Sequence, residues 1–269
     1  MEQNKQLINS HLQRIANILM INGGFLKNPG LYTGEMGLAL FFYYYAKHKE
    51  DKVYWDYAFE LLERVYDRIH EETPIDYKNG LAGIGAAIEL LVKEGFIEAD
   101  TDAVLEDFDE RIFSVKNIPH LSLEELESIV YYALWRISGS HSKKKILITN
   151  ILPPIVNAME EWCKYHEITH QGIVSLKETV ETEITHLQHN LQPVTPGWYR
   201  LISRNSPCVS ETGPSPRFLE IMSKPDIFTQ ENLDLGFRNG LAGIGITLLT
   251  ELDDEAGYSW TSLLPSVNP

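Results

Sequence analysis

Two stretches gather the side chains best suited to hold a ligand. Asp76-Tyr77-Lys78-Asn79 offers a carboxylate, an aromatic, a cation and an amide in a row. Phe237-Arg238-Asn239, with Asp234 just upstream, offers the same set. Two cations, two aromatics and two amides are equipped to grip a peptide or a carboxylate group. Asp76 and Asp234 are also the one pair of acids suited to glycosidic chemistry, which needs two carboxyls facing across a cavity within about 10 Å. There is a plainer alternative: an Asn ahead of a helix serves as a cap, and the neighbouring cations are solvated.

The thiols and imidazoles suggest a second chemistry. Cys163, His166 and His170 would share one face of a helix, a spacing able to hold a metal, and Cys208 is a candidate fourth ligand. No acid-base partner is specified, and the segment lies at a helix end. His186 and His189 fall on a polar helix face and read as solvent-exposed. No GxSxG, HExxH, P-loop or kinase signature is present. The two cysteines form no CxxC pair, which suits a reducing, cytoplasmic setting rather than a disulfide scaffold.

The elements that must position these residues begin with glycines. Gly80-Leu81-Ala82-Gly83-Ile84-Gly85 directly follows Asn79, and Gly240-Leu241-Ala242-Gly243-Ile244-Gly245 directly follows Asn239, letter for letter 160 positions later. A third version starts at Gly34, with Gly37 matching Gly83 and Ala39 replacing Gly85. Glu125–Val130 and Gly172–Lys177 continue the series in eroded form. Gly34, Gly80, Glu125 and Gly172 lie 46, 45 and 47 positions apart, which marks a repeat architecture. The box reads GxxGxG, not the dinucleotide fingerprint GxGxxG, and no apolar strand precedes it. Its glycines serve close approach of the chain where helices converge.

Between the boxes the apolar spacing is helical. A first helix is expected near residues 4–20, stopped by Asn22-Gly23-Gly24. The run through Tyr45 is apolar on nearly every side, as in a helix buried within a core. Residues 51–72 form an amphipathic helix with Val53, Tyr57, Leu61, Val65 and Ile69 as its stripe. Asp100 or Thr101 caps a further helix, and Ser122 with Glu125 forms a capping box. A helical region at 143–166 is bent or split by Pro153-Pro154. The Pro-rich stretch 192–235 reads as a long loop. The chain is therefore expected to be all-α, a single domain over 1–269 of about five helix pairs, forming an α/α toroid with the boxes at one mouth.

Composition narrows the partners. A formal net charge of −15 argues against nucleic acid and anionic membrane surfaces. The N-terminus lacks the apolar core of a signal peptide, and no run is long enough for a membrane span.

Serial Gly-x-x-Gly boxes about 45 residues apart, each opening an inner helix, resemble the lanthionine synthetase C-like family. Gly34–Ala39, Gly80–Gly85 and Gly240–Gly245 are the strong matches. The resemblance implies an α/α toroid related to cyclases that add cysteine thiols to dehydrated serine or threonine, using a zinc held by two cysteines and a histidine. Those ligands lie in Cys-x-Gly and Cys-His-Gly boxes, and neither occurs in this sequence. The family toroid has seven helix pairs. The first expectation is accordingly an accessory or peptide-binding protein of modified-peptide maturation or export, without zinc or other cofactor. The alternatives are a zinc cyclase with rearranged ligands (Cys163, Cys208 and His166 or His170) and a toroidal carbohydrate-active enzyme. An open array would expose apolar helix sides, favouring a homodimer or a partner protein.

Overall fold

A computed structural model describes residues 2–114, 118–139, 145–166, 171–188, 234–238, 240–252 and 263. Among these, every regular element is a helix. The α-helices are α1 Glu2–Asn22, α2 Glu35–Lys49, α3 Lys52–Asp67, α4 Leu81–Lys93, α5 Thr101–Val104, α6 Glu106–Phe113, α7 Leu123–Ser138, α8 Lys145–Tyr165, α9 Gln171–Gln188 and α10 Leu241–Leu252. No described helix is long and apolar enough to cross a membrane. The loop expected at 192–235 falls outside the described residues except for its last two. The chain divides into two compact units, Met1–Thr73 with Pro207–Tyr258, and Pro74–Ser206 with Ser259–Pro269.

In the first unit α2 is the central element. Every residue from Glu35 to Tyr43 is buried, as expected of a helix apolar on nearly all sides. α3 packs along it, and α10 packs against both α1 and α2. Aromatic rings fill the α2–α3 contact: Phe42 meets Tyr57 edge-on at 4.8 Å, and Tyr45 meets Tyr54 at 4.7 Å. The ring of Phe41 lies directly over Gly245, where a methyl group would strike it. The buried line of α3 is Ala58, Leu61, Leu62 and Val65. Val53, expected on that stripe, is 59% exposed. α3 also stops at Asp67, five residues before the expected end, because the chain turns there. Thr73 donates its N–H to the His70 carbonyl at 2.9 Å, and its hydroxyl oxygen accepts from the His70 N–H at 3.0 Å.

In the second unit α4 is buried without interruption from Leu81 to Leu91. It packs on α7, α7 on α8, and α8 on α9. Asp100 caps α5 by accepting from the Asp102 N–H at 3.1 Å. The expected helix is divided, however: α5 and α6 part at the buried Leu105. Ser122 and Glu125 form the expected reciprocal capping box, with bonds of 3.3 and 2.8 Å. α7 thus starts with a side-chain cap, three residues ahead of the Glu125 that aligns with Gly80. α8 runs through Pro153-Pro154 as one helix. Ile148, Leu152, Ile155, Val156, Met159 and Cys163 form one buried stripe along it, which holds both sides of the prolines to the core.

Candidate functional site

Three loops lead into buried helices along the same backbone path. The first helical N–H after each leading glycine donates to the carbonyl six residues before that glycine. Glu35 bonds Asn28 at 2.9 Å, Leu81 bonds Pro74 at 2.9 Å, and Leu241 bonds Asp234 at 2.8 Å. These bonds take up orphan donors that a side-chain cap would otherwise serve. No side chain caps α2 or α4. A polar side chain braces each loop from within: the Oδ1 atoms of Asn28, Asp76 and Asp234 accept from the N–H groups of Gly30, Asn79 and Gly236, each at 2.8 Å. A methyl group at Gly34, Gly80 or Gly240 would be driven into backbone atoms of its own loop. The φ angles of Gly34 and Gly80, −117° and −110°, are ordinary extended backbone. Lack of space, rather than backbone twist, selects glycine there.

This geometry assigns most of the expected ligand-gripping residues a place in the loops themselves. Tyr77 is 4% exposed and Phe237 fully buried. Leu31 fills the equivalent position of the first loop, also fully buried. The position is an apolar plug, not a ligand-facing aromatic. The Tyr77 N–H donates to Ser128 Oγ at 2.9 Å, and that of Phe237 to the Tyr32 carbonyl at 2.8 Å. Asn79 does not cap α4, because Gly80 occupies the cap position. Asn239 lies outside the described residues. The two cations stand further out. Lys78 pairs with Glu124 at 2.6 Å, both exposed, and the Arg238 guanidinium lies 5.0 Å over the Tyr32 ring. Asp76, Tyr77, Lys78 and Asn79 belong to the second unit, Asp234, Phe237 and Arg238 to the first.

Of the expected metal ligands, Cys163 and His166 are described, while His170 and Cys208 lie outside. Cys163 is buried on α8, and burial with the nearby Glu127 raises its thiol pKa. His166 stacks on Trp162 at 3.8 Å, with Nδ1 2.8 Å from that residue's carbonyl. Among the described residues no three His, Cys, Asp or Glu side chains converge as a metal cluster.

A charged cluster absent from the sequence expectations occupies the second unit. Arg136 of α7 is fully buried. Its Nε and Nη2 donate to the two carboxylate oxygens of Asp109 at 3.0 and 2.9 Å, a bidentate pair. Nη2 also reaches Asp102 at 2.7 Å, and Nη1 reaches Glu89 and, at 3.3 Å, Thr101 Oγ1. The Tyr132 hydroxyl adds a 2.7 Å bond to Asp109. Burial alone would lower the Arg136 pKa, but Asp109 and Glu89 outweigh it and hold the guanidinium above its usual value. Burial raises the Glu89 carboxyl against the pull of Arg136, and raises Tyr132 together with Asp109. Beside this cluster lies a cavity of about 680 Å³, walled by Glu89, Lys93, Asp100, Asp102, Trp135 and Gly139, among others. The Lys145 amine feels Glu89 and Asp102, yet burial dominates and lowers its pKa. Toward the start of α7, away from this cluster in sequence, burial and Glu124 push the Glu127 carboxyl up to about 7, against Lys78.

The first unit has a counterpart. Glu35, at the first position of α2, is fully buried and held by Arg64 and, at 2.9 Å, by Arg68. Arg64 also donates to the Gly23 carbonyl at 3.2 Å. The sequence did carry a signal for both clusters. Glu35, Glu89 and Arg136 each interrupt an otherwise apolar helical run, and a charge there needs a buried partner.

Comparison with protein-family models, curated proteins and solved structures finds no match.

Proposed function

We propose that the chain is a lanthionine synthetase C-like α/α toroid of about five helix pairs, acting as an accessory or peptide-binding protein in modified-peptide maturation or export. One observation carries this reading: a single lead-in geometry recurs at Gly34, Gly80 and Gly240, each time opening a helix buried on nearly all sides. The sequence holds neither the Cys-x-Gly nor the Cys-His-Gly box that carries the zinc ligands of that family, which supports a role without zinc cyclisation. Peptide contact falls to the outer member of each loop taken by itself, Lys78 in one unit and Arg238 in the other, because Tyr77 and Phe237 are committed to the core. A peptide's terminal carboxylate suits such cations.

Elemental analysis of protein purified without added metal tests the first part: well under one zinc per chain is expected, and stoichiometric zinc surviving chelator dialysis overturns it. The second part is tested by titrating a short peptide with a free C-terminal carboxylate, and its amidated form, into the wild type and a Lys78→Ala/Arg238→Ala variant. Tighter binding of the free-acid form, lost in the variant at unchanged melting temperature, is expected. Equal binding of both forms, or no binding, removes the cations from the reading.

A further inference from the structure

We draw no further inference here: the strongest candidate, the cavity of about 680 Å³ beside the Arg136 cluster of the second unit, is walled by carboxylates that already hold a guanidinium, and no second feature of its wall points to a ligand.

Discussion

The two units bury charge in opposite senses. In the first, one carboxylate, Glu35, is held by two arginines whose side chains are 23% and 36% exposed. In the second, one guanidinium, Arg136, is held by three carboxylates, of which Asp109 and Glu89 are almost wholly buried. The difference lies in what is stranded when the central charge is lost. Arg64 and Arg68 have water to fall back on, whereas Glu89 and Asp109 do not. The second cluster is thus the more demanding, since removing one partner of a buried pair leaves an uncompensated charge in a low-dielectric interior.

The largest effect should follow Arg136→Met. It strands Glu89, Asp102 and Asp109, so a loss of about 3–5 kcal/mol is expected. Denaturant unfolding at neutral pH measures it. The sign with pH is also fixed: burial already raises the Glu89 carboxyl and Arg136 opposes it, so without Arg136 it titrates higher still and the variant should recover part of the deficit as pH falls. A loss independent of pH would make the defect one of shape rather than charge. Glu35→Gln should cost less, roughly 2 kcal/mol, because its arginines are partly solvated. If it costs as much as Arg136→Met, the comparison fails.

Much of the framework was legible beforehand because local chemistry and tertiary demand agree there. Ser122 with Glu125, Asp100, and the glycines at 34, 80 and 240 each mark a helix start that the structure contains. Where they disagree, tertiary structure wins. The helical pattern continues past Asp67, yet the chain leaves α3 there and turns, and Pro74 beyond it supplies the carbonyl that caps Leu81. Pro153-Pro154 reads as a break, yet the buried stripe from Ile148 to Cys163 keeps α8 whole. The aromatic positions 77 and 237 look like ligand contacts when two copies are compared. The third copy, with Leu31 in the same place, shows that the position requires apolar bulk. The Arg136 cluster was the least legible part. Its partners Glu89, Asp102 and Asp109 lie far away along the chain, and no spacing rule joins them.

Between buried and exposed extremes stands Glu127. Its pKa near 7 in the folded chain, against 4.5 for an ordinary glutamate, means that folding favours the proton. The stability this brings is full below pH 4.5 and is lost as pH rises to about 7. The loss over the whole titration should be about 3 kcal/mol at most. Glu127→Gln removes the titration, so its melting temperature should fall less than that of the wild type over this interval. Equal slopes for both proteins would show that Glu127 titrates normally.

Lys78 with Glu124 closes the series at its exposed end. Their side chains are 44% and 56% exposed, so water screens the pair and its loss strands nothing. Lys78→Met should therefore change stability by about 0.5 kcal/mol or less. Its clearer signature lies one turn away on α7. Lys78 is the cation that lowers the Glu127 pKa, opposing burial and Glu124. Without it the Glu127 carboxyl should titrate still higher, and the pH interval over which stability declines should extend upward. Following the carboxyl resonance of Glu127 by NMR in wild type and Lys78→Met measures this directly. An unchanged midpoint would mean that burial and Glu124 set the shift without Lys78, and that even a 2.6 Å ion pair at this surface has no reach to Glu127.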